Sequence, residues 1–132
     1  MIRVFISYAH EDSSVIDNIQ SHLDAAGYAV WIDRESIAGG ELWRARIVEA
    51  IENSNVFLLI LSPNSVKSKH VLQELNIADG ESKPILPVLI GAAEIPREMK
   101  LQLAGLQAIM LETNDFSNID VLYKSIHQLA ST

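Results

Sequence analysis

Val56-Phe57-Leu58-Leu59-Ile60-Leu61 is an unbroken apolar run closed by Ser62-Pro63. A strand with one wet face alternates apolar and polar residues; this run has no polar residue to offer solvent, so both of its faces must be covered. It is too short for a typical globular helix, and Ser-Pro ends it in an exposed turn. A strand of this kind lies inside a parallel sheet with helices on both sides. The rest of the chain has to supply those layers.

It does so in alternation. Arg3-Val4-Phe5-Ile6-Ser7 reads as a first strand. His10-Glu11-Asp12-Ser13-Ser14 is a polar turn with N-cap candidates and early negative charge, both of which favour a helix start. Val15, Ile19 and Leu23 follow at four-residue intervals, widened by Ile16 and Ala26, and Gly27 stands where a C-cap glycine belongs. Tyr28 to Ile32 is a second strand, Asp33 to Gly40 a loop, and a second helix begins near Glu41 with Leu42, Ile47, Ala50 and Ile51 facing the sheet. Asn53-Ser54-Asn55 leads into the apolar run. A third helix is expected from about Ser65 to Ala78, with a stop signal at Asp79-Gly80. Pro84 to Ile90 is a fourth strand whose two prolines suggest a distorted or peripheral start. Gly91 to Ala104 gives the weakest pattern; Ala108 to Leu111 is a short fifth strand, and Val121, Leu122, Ile126 and Leu129 build a terminal helix. Strands alternating with helices predict an α/β, flavodoxin-like three-layer fold with a five-stranded parallel sheet in the order 2-1-3-4-5.

Composition narrows the function. With 132 residues and 48% apolar content, one domain over residues 1–132 is expected, compatible with a place in a larger protein. The chain has no cysteine, which removes disulfides, thiolate catalysis and Cys-ligated zinc. A formal charge of −7 argues against a broad nucleic-acid surface. The apolar runs are far shorter than the roughly 20 residues a membrane helix needs, and no secretory leader pattern is present, so no membrane partner and a cytoplasmic location are expected.

Glu74 is the candidate for chemistry. The turn after the third strand delivers the chain to a helix that presents this carboxylate near the carboxyl end of a parallel strand, where open α/β sheets place their ligands. A glutamate on a helix is most often a solvated surface group, and position alone does not overturn that. His70 lies four residues earlier and so on the same helical face. Gly39-Gly40 is a weak phosphate-loop signal without the longer glycine spacing, better read as a flexible loop. Ser7, Ser62 and His10 lack a nucleophile-elbow pattern.

Three segments together are recognisable. Phe5-Ile6-Ser7-Tyr8-Ala9-His10-Glu11-Asp12 resembles the first box of TIR (Toll/interleukin-1 receptor) domains. Trp31-Ile32-Asp33 with Ala38-Gly39-Gly40-Glu41-Leu42-Trp43 resembles the second strand, BB loop and following helix of that family. Leu59 to Pro63, continued through Ser68 to Glu74-Leu75, resembles its third strand and αC region. The resemblance covers essentially the whole chain and implies the same flavodoxin-like fold. Many bacterial members cleave NAD+ at the nicotinamide–ribose bond, whereas many receptor and adaptor members only assemble. The bacterial NADase type implies Glu74 as the catalytic residue, with Trp43, Tyr8, Ala9, His10 and His70 about the substrate. It also implies a BB loop containing Asp33, Arg34, Gly39 and Gly40. His70 stands where some bacterial members carry tryptophan.

The chemistry suits a lone acid. Cleaving an N-ribosyl bond develops positive charge on the sugar, which a nearby carboxylate stabilises. Nicotinamide leaves neutral, so a strong general acid is dispensable, and an indole such as Trp43 can stack on the cationic ring for about 0.5–2 kcal/mol. NAD+ enters as substrate; neither a further cofactor nor a metal is expected. The implied partners are NAD+ and other TIR domains, through self-association. Two functions stay open at this point: an NAD+ glycohydrolase, hydrolysing or cyclising, and a non-catalytic TIR scaffold or adaptor.

Overall fold

The computed structural model describes residues 1–32, 40–111 and 115–131, the side chains of residues 40–43 excepted. Five parallel strands lie in the order β2-β1-β3-β4-β5. They are β1 (Arg3–Ser7), β2 (Ala29–Ile32), β3 (Val56–Leu61), β4 (Ile85–Ile90) and β5 (Ile109–Leu111), joined by α1 (Ser13–Ala25), α2 (Gly40–Glu52), α3 (Lys69–Gly80) and α4 (Arg97–Leu103), with α5 (Ile119–Ala130) last. This is the order expected from the sequence.

β3 is the centre. All six of its residues are buried, flanked by β1 (Val4 opposite Val56) and β4 (Leu58 opposite Leu86). Successive side chains go to opposite faces. Val56, Leu58 and Ile60 pack with Ile16, Ile19 and Leu23 of α1 and Leu122 and Ile126 of α5. Phe57, Leu59 and Leu61 pack with Ile47 and Ile51 of α2, Val71 and Leu75 of α3, and Met99 and Leu103 of α4. Phe5 stacks between Trp31 and Phe57, at centroid distances of 5.1 and 5.4 Å. On the other face Tyr28 Oη donates to the Tyr123 carbonyl (3.4 Å), and Tyr123 Oη to that of His22 (3.1 Å), tying α1 to α5.

Several boundaries differ from expectation, each for a local reason. Tyr28 is not yet strand: its N–H bonds the Leu23 carbonyl, closing the turn around Gly27, whose φ of +94° suits a residue without Cβ. Asp12 precedes α1 but makes no side-chain cap; its carboxylate is used elsewhere. Ser65 does not open α3. Ser65–Lys67 is a separate 3₁₀ turn, and Ser68 caps the helix by accepting from Val71 N–H. Asp79-Gly80 does not stop α3 short; the helix runs through Gly80. β4 lies between β3 and β5, and its start is one-sided, as its prolines suggest. Its Pro87 is tolerated because β5 pairs only with Val88 to Ile90, so at Pro87 the strand has a neighbour on one side, β3. The weakly patterned stretch after Gly91 contains α4, which buries only Met99 and Leu103. Among the described residues no helix is long and apolar enough to cross a membrane.

Candidate active site

The carboxyl ends of β1 and β3 release the chain into two neighbouring turns, and the site is made where they meet α3. Period-2 alternation puts Ser7 on the same face of β1 as Phe5, the face that α2 and α3 cover. A hydroxyl buried there needs a partner. Ser7 is fully buried, and its Oγ donates to Glu74 Oε1 at 2.6 Å. That length is at the short end of O–H···O hydrogen bonds. Glu74 itself is only 4% exposed, unlike the solvated glutamate that helix position alone would suggest.

Directly after Ser7, Tyr8 and Ala9 are also buried, and His10 is half-buried. His70 reaches back to them from the first turn of α3. Its Nε2 lies 3.0 Å from the Tyr8 carbonyl, which can only accept, so that nitrogen carries the proton. Its Nδ1 lies 2.9 Å from Ser68 Oγ, the same hydroxyl that caps α3. In the neutral ring Nδ1 is then the acceptor, and the hydroxyl both donates to it and receives Val71 N–H. The His10 ring stacks on that of His70, centroids 4.7 Å apart, and meets Tyr8 edge-on at 5.8 Å.

A second lacing joins the same two turns. Asp12 takes the Ser62 hydroxyl on Oδ2 and Asn64 Nδ2 on Oδ1 (2.9 Å). Ser62 and Ser65 close their turn reciprocally, Ser65 Oγ receiving Ser62 N–H (2.8 Å) and Ser62 Oγ receiving Ser65 N–H (3.0 Å). The Ser7–Glu74 pair is thus flanked by turns fastened through both Asp12 and His70.

Of the residues singled out in the sequence, Glu74, Tyr8, Ala9, His10 and His70 converge here. Gly40 is the first residue of α2. Trp43 falls within α2, but its side chain lies outside the described residues, as do Asp33, Arg34 and Gly39 altogether. Sequence reasoning passed over Ser7 and Asp12. Ser7 had a readable signal, a polar residue in register with Phe5 on a face otherwise apolar; Asp12 had none beyond its place in a polar turn. A groove of about 560 Å³ opens between α2 and the amino ends of β1 and β2, lined by Arg3, Val30, Trp31, Arg46 and Glu49 among others. It lies at the opposite end of the strands from Glu74. Among the described residues no three His, Asp or Glu side chains group as metal ligands.

An open parallel sheet in this order is the architecture of a flavodoxin-like α/β domain, and the buried carboxylate stands at the strand ends where such folds place their ligands. The family model described as TIR domain matches residues 4–123, and the chain belongs to that family. The 2' cyclic ADP-D-ribose synthase BtTIR of Bacteroides thetaiotaomicron is 33% identical over 73 residues, 54% of this chain. That match spans only 25% of the relative's length. Among solved structures, the TIR domain of the Toll-related receptor TRR-2 from Hydra magnipapillata is 25% identical, with a TM-score of 0.75 and 98% of each chain covered. A metazoan TIR-STING receptor from C. gigas is 26% identical with a TM-score of 0.71, covering 98% of this chain and 39% of the receptor.

Proposed function

We propose that this domain is an NAD+ glycohydrolase that breaks the nicotinamide–ribose bond, with Glu74 as the catalytic carboxylate. The observation that carries this reading is the burial of Glu74 at the carboxyl end of the sheet, with Ser7 donating to it. Desolvating a carboxylate is costly, and such groups are rarely buried without a partner or a task. As the C1–N bond of the ribose breaks, its electron pair leaves with nicotinamide, which departs neutral. The positive charge left on the ribose is stabilised by the Glu74 carboxylate in a poorly solvated setting, where such an interaction is stronger than in water. Water then captures the sugar to give ADP-ribose, or a hydroxyl of the same molecule captures it to give a cyclic product. Likeness to a 2' cyclic ADP-D-ribose synthase supports the same substrate bond and makes the cyclic product worth seeking.

Self-association belongs to this reading: a neighbouring copy's BB loop completes the substrate cleft, so activity rises faster than linearly with concentration. The test is nicotinamide release from NAD+ across a concentration series, with products identified by mass. Glu74→Gln keeps the size of the side chain and removes its charge. It is expected to lower turnover by at least about 100-fold, the scale of losing one electrostatic stabiliser. Unchanged turnover in a folded Glu74→Gln protein refutes the assignment.

The second reading is a non-catalytic TIR module that acts by TIR–TIR contact, favoured by likeness to two metazoan receptors. Assemblies that form at high concentration and never release nicotinamide would establish it instead.

A further inference from the structure

We propose that Ser7 is the positioning residue of this site, fixing the orientation of the Glu74 carboxylate through its hydroxyl. The inference rests on Glu74 being the catalytic carboxylate and goes beyond it, to a residue 67 positions away on another element.

The geometry carries it. Ser7 ends β1, where backbone pairing with both β2 and β3 holds the strand in place; Ser7 itself stands opposite Leu59. Its side chain has no exposed surface, so its hydroxyl cannot turn to water instead. Glu74, by contrast, sits on a helix and reaches its oxygens through three rotatable bonds. A 2.6 Å hydrogen bond from a rigid strand to Oε1 removes that freedom and sets the plane of the carboxylate relative to the carboxyl edge of the sheet. The neighbouring contacts fix other things. His70 holds the Tyr8 carbonyl, and Asp12 holds Ser62 and Asn64. Ser7, from β1, bonds the acid itself.

Ser7 is not assigned a nucleophile's role. Its proton is directed at Glu74, and it exchanges no bond with substrate in this scheme. Its effect passes entirely through the carboxylate. Two signatures separate positioning from a merely structural contribution. Loss of the hydroxyl lowers kcat while leaving KM nearly unchanged, because orientation of the acid matters to the developing sugar cation and little to ground-state binding. It also moves the acidic limb of the kcat–pH profile to higher pH, since a carboxylate deprived of a donor is protonated more readily.

The experiment compares wild type, Ser7→Ala, Glu74→Ala and the double variant, each assayed for nicotinamide release from NAD+ between pH 4.5 and 8.5 and for thermal unfolding. For Ser7→Ala the expected kcat loss is on the order of 10- to 100-fold, the scale for a misplaced reacting group, with KM within about twofold and the acidic limb displaced upward. In the unfolding arm Ser7→Ala lowers Tm in the wild-type background and has little effect in the Glu74→Ala background, where the hydroxyl has already lost its acceptor. An active wild type with unchanged kcat and pH profile in Ser7→Ala overturns the proposal. If wild type releases no nicotinamide, it is the catalytic reading that fails. The unfolding cycle then decides the Ser7–Glu74 coupling by itself, and equal Tm losses in both backgrounds overturn it. Should Ser7→Ala fold poorly, Ser7→Cys keeps the volume with a much weaker donor and is read by the same two criteria.

Discussion

Replacing Asp12 by alanine severs the lacing between the β1–α1 and β3–α3 turns without touching Glu74. Two donors lose their acceptor, the Ser62 hydroxyl and Asn64 Nδ2. A hydrogen bond to a charged group contributes about 1.5–3 kcal/mol when sheltered. Asp12 is half-buried, so solvent screens both bonds and about 1 kcal/mol each is the better figure. The sum, about 2 kcal/mol, corresponds at this chain length to a fall of roughly 8 °C in Tm. Asn64→Ala removes one of the bonds and should lower Tm by about half as much. Circular dichroism during heating gives the midpoints. The same release frees the turn bearing Tyr8, Ala9 and His10, so nicotinamide release should fall in Asp12→Ala even at temperatures where the protein is folded. A midpoint within about 1 °C of wild type, with unchanged turnover, would refute the reasoning.

The core and the α1–α5 face supply further predictions. Phe57 is fully buried and stacked on Phe5, so Phe57→Ala should cost about 3–5 kcal/mol, and Phe57→Leu clearly less, by urea unfolding. Burial raises the hydroxyl pKa of Tyr28, with the Tyr123 hydroxyl beside it adding to the effect; burial likewise raises that of Tyr123, with Asp120 adding. In the unfolded chain both phenols ionise near pH 10. The folded state holds its protons longer, so this contribution to stability is complete below about pH 10 and is lost as pH rises beyond it. Urea midpoints between pH 8 and 11 should therefore fall more steeply in wild type than in Tyr28→Phe/Tyr123→Phe; equal slopes would contradict the assignment.

How much of this was legible depended on whether the signal was local. The buried run of β3, the alternation of strands with helices and the glycine after α1 each follow from neighbouring residues, and together they gave the sheet order. Boundaries failed where one residue type has two uses. Ser65 and Ser68 both resemble helix caps, and only the fold shows that Ser65 serves the reciprocal turn with Ser62. Asp12 resembles a cap for α1, yet its acceptors are taken by residues about fifty positions later. α4 escaped notice because two buried residues four apart are too few to make a pattern. Glu74 was found by its place after a strand and by family likeness, whereas its hydrogen bond to Ser7 depends on tertiary contact that no window along the chain contains.

The position of β1 between β2 and β3 bears on how the protein is made. Within this domain the first strand to be synthesised is an interior one, and its second neighbour is not complete until Leu61 has been added. Until then the nascent chain carries an open apolar margin able to pair with other chains, a period in which a chaperone would be useful. Permuting the gene so that translation starts at α2 would bring β3 out ahead of β1, leaving β3 rather than β1 to wait. The yield of folded protein from the two gene orders would measure how far that early exposure limits production.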